Sequence, residues 1–192
     1  GKKPMLINAC RGEVMDTKAA IEAVRQERLT GLVVDCWEFE PNPDPTLLSL
    51  VDLATPHIAG YSKDGKANGT SMSVQALSRF FNLGIDDWTA TGVEVPEQTT
   101  LSLVGSSADG ALLNNQELLA QAILSTYDIR KDDNNFRKEP HRFEALRGDY
   151  PLRREFPVYT IEATKLPAAV IEQLKQLGFT VQLKDYPLIE YK

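Results

Sequence analysis

The sequence predicts an α/β fold with a parallel β-sheet in the first third of the chain, and three observations carry this prediction. Short apolar runs rich in Val, Ile and Leu alternate with a stretch of helical periodicity. Each run ends in polar or proline-containing residues, as a buried strand does where it meets a loop. The order strand, helix, strand, loop, strand is typical of a parallel sheet with right-handed crossovers.

Local patterns place the elements of this first part. Its strands are expected at residues 5–10, 32–35 and 51–55. A helix is expected to begin at Asp16 or Thr17, because either side chain can accept a hydrogen bond from the free amides of a first turn. Pro41, Pro43 and Pro45 follow the second run and predict an extended loop, since proline restricts its own backbone and that of the preceding residue.

The character of the chain changes after residue 84. The acidic, proline-containing segment 85–100 is predicted to be a linker, and segment 128–154 is highly charged and contains few apolar residues. Helices are expected at residues 70–83, 114–127 and 167–177, and strands at 101–104, 159–161 and 179–183. The predicted division is a domain of residues 1–84, a linker of residues 85–100 and a domain of residues 101–192.

Composition excludes several classes of function. The 192 residues carry a net charge of −6, which argues against a general nucleic-acid surface, because backbone binding needs clustered Lys and Arg. No apolar run approaches the roughly 20 residues that cross a bilayer. With two cysteines and two histidines, neither a disulfide scaffold nor a zinc site is supported, and a reducing cytoplasm is the expected location.

Three polar residues stand where the predicted strands end: Arg11, Glu40 and His57. The carboxyl ends of parallel strands lie along one edge of a sheet, where ligands bind. An arginine can grip a carboxylate with two hydrogen bonds, a histidine can move a proton near neutral pH, and a carboxylate can fix that histidine. The same residues could also be ordinary solvated loop residues, and spacing alone does not decide between the two interpretations.

Three motifs around these residues resemble one enzyme family. Residues 8–16 read N-A-C-R-G-E-V-M-D, residues 34–41 read V-D-C-W-E-F-E-P and residues 55–60 read T-P-H-I-A-G. They are similar to the N-x-x-R-G-x-x-x-D, D-V-x-x-x-E-P and T-P-H-I-A/G-G segments of the D-isomer-specific 2-hydroxyacid dehydrogenases, in the same order. Residues 57–70 and 143–156 resemble one branch of that family, which acts on a phosphorylated 2-hydroxy acid in vitamin B6 biosynthesis.

The resemblance implies a reaction and a role for each site residue. The reaction is NAD-dependent oxidation of a small phosphorylated 2-hydroxy acid to the 2-oxo acid. Arg11 would orient the substrate carboxylate, His57 would take the hydroxyl proton, and Glu40 would hold His57 and favour its protonated form. The other implied roles are cofactor contacts for Asp35 and Gly60 and a substrate contact for Tyr61. No metal is implied.

The resemblance also implies an architecture. The fold would be the C-terminal part of a Rossmann-type parallel-sheet domain followed by a small α+β dimerisation domain, through which a homodimer forms. No G-x-G-x-x-G turn follows a strand, so we expect this chain to correspond to the C-terminal half of a longer enzyme and to show no dehydrogenase activity alone.

Two other functions stay open. The chain could belong to another 2-hydroxyacid dehydrogenase, of the phosphoglycerate or glyoxylate type. Alternatively, residues 101–192 could form an assembly module without chemistry of its own. The choice between NAD and NADP is not decided by these residues either.

Overall fold

The structure is a computed structural model of the chain, and it describes residues 2–106 and 110–184. Residues 107–109 and 185–192, which belong to the predicted domain 101–192, lie outside the described residues. Within the described part, no helix is both long enough and apolar enough to cross a bilayer.

The chain divides into two compact units, neither of which is continuous in sequence. The first unit combines Gly1–Tyr61 with Ile129–Pro151, and the second combines Ser62–Asp128 with Leu152–Lys192. The predicted division at residues 85–100 stays a prediction.

A three-stranded parallel sheet forms the centre of the first unit. Its strands are β1 (Met5–Asn8), β2 (Gly31–Val34) and β3 (Leu53–Ala54), in the order β1-β2-β3. Helix α1 (Thr17–Arg25) connects the first two strands, and the Asp16 carboxylate caps it by accepting a hydrogen bond from the Ala19 amide at 2.7 Å. The α/β class and the parallel arrangement predicted from the sequence are confirmed.

The proline-rich segment after β2 contains a helix, so the prediction of an extended loop throughout this segment was wrong. Helix α2 spans Pro45–Leu50, and the Asp44 carboxylate accepts hydrogen bonds from the amides of Thr46 and Leu47 at 2.8 and 3.0 Å. Proline is unfavourable inside a helix but suits its first position, where no amide hydrogen bond is lost. Pro45 therefore starts the helix.

The charged segment 128–154, in which no helix or strand was predicted, supplies two helices to the first unit. They are α5 (Ile129–Lys138) and α6 (Phe143–Gly148). Their buried side chains Phe136 and Phe143 pack edge-to-face with a ring separation of 5.6 Å, and Phe136 packs in the same way on Trp37. These aromatic rings join the hydrophobic core beneath the sheet.

Polar side chains of α5 form hydrogen bonds with backbone groups of α2 and β3 that have no partner within those elements. The Asp133 carboxylate accepts a hydrogen bond from the Ala54 amide at 2.7 Å. The Arg137 guanidinium donates to the carbonyls of Leu48 and Val51 at the end of α2, at 2.6 and 2.8 Å. The last carbonyls of a helix have no intrahelical partner, so Arg137 acts as a cap supplied from elsewhere in the chain.

The second unit is built on another three-stranded parallel sheet. In chain order it contains α3 (Lys63–Phe81), β4 (Thr100–Val104), α4 (Asn115–Thr126), β5 (Thr160–Thr164), α7 (Ala168–Gln176) and β6 (Thr180–Leu183). The strand order is β4-β5-β6, and its core combines the inner faces of the sheet, α4 and α7. Each of these elements coincides closely with a predicted one, except that α3 begins seven residues earlier than predicted.

The segment predicted to be a linker is held along α3 by hydrogen bonds. The Ser78 hydroxyl accepts from the Ile85 amide at 3.0 Å and donates to the Asp86 carboxylate. The Ser71 hydroxyl accepts from the Ala90 amide at 2.9 Å. Both serines are buried, so residues 85–90 are fixed on the helix.

Candidate active site

His57 and Glu40, which the sequence separates by 17 positions, form a hydrogen-bonded pair. The Nδ1 atom of His57 lies 2.8 and 3.0 Å from the two carboxylate oxygens of Glu40. Their side chains are 25% and 24% exposed, so the pair is partly shielded while one side remains open to solvent. An ionised carboxylate can only accept a hydrogen bond, so Nδ1 donates to Glu40 and Nε2 is the atom that can take a proton from a substrate.

Two hydrogen bonds to Trp37 tie together the loops that carry this pair. The Trp37 amide donates to Glu40 Oε1 at 2.8 Å, which fixes the carboxylate within its own loop. The Trp37 indole donates to the Thr55 carbonyl at 2.9 Å, which fixes the loop that leads to His57. Since Trp37 is buried in the core, its two hydrogen bonds fix the positions of Glu40 and His57 relative to the core.

The backbone of His57 is also constrained. Its φ of 56° lies in the left-handed region, which a residue with a side chain rarely adopts. The His57 amide donates to the Asp35 carbonyl at 2.8 Å, and the next two amides, of Ile58 and Ala59, donate to the Asp35 carboxylate at 2.7 and 3.1 Å. Asp35 therefore holds the conformation of the His57 loop.

Asp35, which the family resemblance suggests as a cofactor contact, is engaged within the protein. The residue is 5% exposed, and its carboxylate accepts a third hydrogen bond, from the Thr55 hydroxyl, at 2.7 Å. The structure thus shows a structural role for Asp35. Its predicted contact with the cofactor stays a prediction.

Arg11 lies in the turn after β1, next to the loop that carries Glu40. The Asn8 side chain donates to the carbonyls of both Arg11 and Cys36, at 3.0 and 2.9 Å. A Cβ on Gly12 would lie 2.0 Å from the Trp37 carbonyl oxygen, so only glycine permits this close approach. The guanidinium of Arg11 donates to the Cys10 carbonyl at 2.8 Å, and it forms no ion pair with Glu40 in the described part of the chain.

Gly60 and Tyr61 follow directly on the same loop as His57. Among the described residues, a Cβ placed on Gly60 would meet nothing within 4 Å, and the φ of Gly60 does not require glycine. Within this part of the chain, neither packing nor backbone strain therefore explains a glycine here. The Tyr61 ring packs edge-to-face on Tyr150 with a centroid separation of 5.7 Å.

Cys36, Glu40 and His57 place three possible metal-ligand atoms within 4.8 Å of one another. Cys36 is fully buried, and this burial, together with the charges of Asp35 and Glu40, raises the pKa of its thiol to about 12. Nucleophilic attack by Cys36 would need the thiolate, which is scarce at neutral pH with such a pKa. The structure therefore gives Cys36 no feature of a nucleophile.

Arg147 on α6 is a residue of this site that sequence reasoning did not single out. Its Nε donates to the His57 carbonyl at 3.3 Å. Its guanidinium carbon lies 5.5 Å from the centre of the Tyr61 ring. The available signal was the similarity of residues 143–156 to the same branch of the family, which gives no role for the arginine.

Two family models match parts of this chain. Residues 1–59 match the model of the D-isomer specific 2-hydroxyacid dehydrogenase, NAD binding domain. Residues 106–178 match a domain of unknown function, DUF3410. The first match contains Arg11, Glu40 and His57, the three residues that the sequence motifs indicated. Residues 1–59 are therefore similar to the NAD-binding domain of the D-isomer-specific 2-hydroxyacid dehydrogenases.

Several curated relatives resemble most of the chain. An erythronate-4-phosphate dehydrogenase of Bacteroides fragilis is 43% identical over 164 residues, which are 85% of this chain and 43% of the relative. Those of Porphyromonas gingivalis and Marinobacter nauticus are 42% and 35% identical, over 83% and 95% of this chain and 41% and 48% of the relatives. The chain thus spans less than half the length of each of these relatives.

Proposed function

We propose that this chain is part of an NAD-dependent dehydrogenase that oxidises the 2-hydroxyl of 4-phospho-D-erythronate to a 2-oxo acid, in vitamin B6 biosynthesis. The observation that carries the proposal is the hydrogen-bonded pair of His57 and Glu40, held on adjoining loops at the carboxyl end of a parallel sheet. The printed names of relatives that are 35–43% identical to the chain support the choice of substrate.

The geometry supports a division of labour in this reaction. When bound, NAD accepts the hydride that leaves the substrate carbon. Nε2 of His57 takes the hydroxyl proton as the carbon–oxygen double bond forms, and the charge of Glu40 stabilises the imidazolium that results. Arg11, on the neighbouring turn, orients the substrate carboxylate with its two-pronged guanidinium.

The loop after His57 supplies the remaining contacts. Gly60 is proposed to offer its backbone to the cofactor, and the open space where its Cβ would stand supports this role. Asp35 is proposed to lie on the nicotinamide side, where it also keeps the His57 loop in place. Tyr61 is proposed to contact the substrate.

The assembly and location belong to the same proposal. A homodimer would form through residues 101–192, and the enzyme would work in the cytoplasm. The exposed apolar side chains Leu112 and Leu183 of this part of the chain are consistent with such a contact.

The two histidines of the chain provide a matched test. Protein expressed from the complete gene is assayed for NADH formation with 4-phospho-D-erythronate, unphosphorylated erythronate, 3-phosphoglycerate and glycolate. We expect preference for the phosphorylated four-carbon acid. His57→Gln is expected to lower kcat by roughly 10³-fold, because general acid–base catalysis contributes roughly 10²–10⁴-fold.

The control is His141→Gln, which changes an exposed histidine in the same compact unit. It is expected to leave kcat and KM unchanged. Preference for a different acid would contradict the proposed substrate, and equal activity of the His57 and His141 variants would contradict the proposed mechanism.

A further inference from the structure

Arg147 connects two residues of the proposed site that the chain places on one loop. Its Nε donates a hydrogen bond to the carbonyl oxygen of His57 at 3.3 Å. Its guanidinium carbon lies over the ring of Tyr61, 5.5 Å from the centroid, and 5.8 Å from the centroid of Phe143. One side chain thus contacts both the backbone of the acid–base residue and the ring proposed to touch the substrate.

The hydrogen bond from Arg147 is made to the backbone of His57, which has a strained conformation. With a φ of 56°, this residue keeps its conformation only if the surrounding structure enforces it. Asp35 holds the amide of His57 and the amide of Ile58, at 2.8 and 2.7 Å. The carbonyl between those two amides is held by Arg147, so the hydrogen bonds from both sides define the orientation of the peptide.

Contacts other than ion pairs hold Arg147 among the residues that the structure describes. No carboxylate in the described part of the chain forms a salt bridge with it, whereas Arg137 and Arg142 on the same segment pair with Asp133 and Glu139. A guanidinium held against an aromatic face is attracted by the negative charge of that face. The side chain is therefore placed by the carbonyl of His57 and by the rings of Tyr61 and Phe143.

We propose that Arg147 is a positioning residue that fixes the His57 imidazole relative to Tyr61 for proton transfer. The inference rests on the proposed function for its catalytic consequence, but the geometric part can be tested without turnover. A misplacement of a catalytic group by about 1 Å can cost roughly 10²-fold in rate, which sets the expected size of the effect.

The first test observes His57 directly in the 192-residue chain. Because the chain has only two histidines, NMR correlation spectra of the imidazole nitrogens contain two sets of signals, and His57→Gln assigns them. Arg147→Gln is expected to shift or broaden the signals of His57 and to leave those of His141 in place. The matched control Arg142→Gln, next to His141, is expected to leave the signals of His57 unchanged.

The second test measures kinetics in protein expressed from the complete gene. Arg147→Gln is expected to lower kcat about 10²-fold with KM for the hydroxy acid and NAD within about twofold of the original. Arg147→Lys is expected to lower kcat only about tenfold. An ammonium keeps the positive charge near the Tyr61 ring, but it cannot at the same time donate a hydrogen bond to the His57 carbonyl as well as a guanidinium does. Arg142→Gln is expected to leave both constants unchanged.

Three outcomes would overturn the proposal. Unchanged His57 signals in Arg147→Gln would show that the arginine does not place the imidazole. A large rise in KM for the phosphorylated acid at constant kcat would make Arg147 a direct substrate contact instead. Equal loss of kcat in the Lys and Gln variants, with a matching loss of stability towards urea, would indicate a structural role only.

If His57→Gln itself kept full activity while Arg147→Gln moved the His57 signals, the proposed function would fail and the positioning contact would stand.

Discussion

At the scale of single residues, the site depends on backbone groups as much as on side chains. Glu40 is held by the amide of Trp37, and His57 is held by the carbonyl and carboxylate of Asp35. Such groups are fixed by the fold before any substrate arrives, so the proposed acid–base pair would need no rearrangement when the proton moves. The Glu38 carboxylate, two positions from Glu40, does something different: it accepts a hydrogen bond from the Thr17 amide at 2.9 Å, at the start of α1.

The contrast between these two glutamates gives a prediction about catalysis. Glu40→Gln is expected to lower kcat by roughly 10²-fold or more, because a neutral amide no longer stabilises the imidazolium that forms on His57. Glu38→Gln is expected to keep kcat and to lower the free energy of unfolding by about 0.3–1 kcal/mol, because the amide oxygen of Gln can still accept from Thr17 and only the negative charge at the start of α1 is lost. Steady-state kinetics of both variants check the expected kcat values, and urea unfolding checks the expected free energies of unfolding. Equal kcat values in the two variants would show that Glu40 is not part of the catalytic pair.

At the scale of elements, the first turn of α3 is fixed by an ion pair from a distant segment. The Arg154 guanidinium donates two hydrogen bonds to the Asp64 carboxylate, at 2.8 and 2.9 Å, and the Glu155 amide donates a third at 2.7 Å. The hydrogen bond from Arg154 is the main reason that the pKa of Asp64 lies below its usual value of 3.8. A negative side chain at the start of a helix is also favoured by the helix dipole.

The lowered pKa of Asp64 predicts how stability depends on pH. Because the folded protein binds this proton less tightly than the unfolded chain does, the stabilisation is fully present above pH 3.8 and is lost as pH falls through the lower pKa of the folded state. Asp64→Asn is expected to lower the free energy of unfolding by about 1.5–3 kcal/mol near neutral pH. The difference from the original protein is expected to shrink steadily in acid.

Urea unfolding at a series of pH values measures this difference. The control is Asp87→Asn, since Asp87 is exposed and lies in the same compact unit. That substitution is expected to change stability by less than about 0.5 kcal/mol at every pH. A difference between Asp64→Asn and the original protein that did not vary with pH would contradict a role for the charge.

At the scale of the whole molecule, the first compact unit is completed by residues far along the chain. Phe136 is fully buried against Trp37, and Asp133 binds the amide of Ala54 from 79 positions away. The segment 129–151 thus contributes both core and backbone hydrogen bonds to a unit whose strands all lie before residue 61. Its helices also bring Arg147 to His57.

Truncation of Phe136 is expected to destabilise that unit. In a Trp88→Phe background, Trp37 is the only tryptophan, and its fluorescence reports unfolding of the first unit. Phe136→Ala is expected to lower the free energy of unfolding by about 3–5 kcal/mol, since removal of a buried aromatic ring leaves a cavity. Phe39→Ala, which removes a ring that is 55% exposed, is expected to cost less than about 0.5 kcal/mol. An unchanged Trp37 transition in Phe136→Ala would show that segment 129–151 does not stabilise the first unit.

The sequence by itself determined the α/β class and the parallel sheet, because the ends of strands are local patterns. The pairing of His57 with Glu40 was indicated only by motifs that resemble a known family. Tertiary structure decided the positive φ of His57 and the hydrogen bonds that the Asp35 carboxylate accepts. The helix that begins at Pro45 depends on its Asp44 cap, which was overlooked because three prolines suggested a loop. Tertiary structure also decided that segment 129–151 packs in the first unit and that Arg147 contacts His57. A charged amphipathic helix carries its periodicity in its sequence, but the surface that buries its apolar face is chosen only by long-range packing.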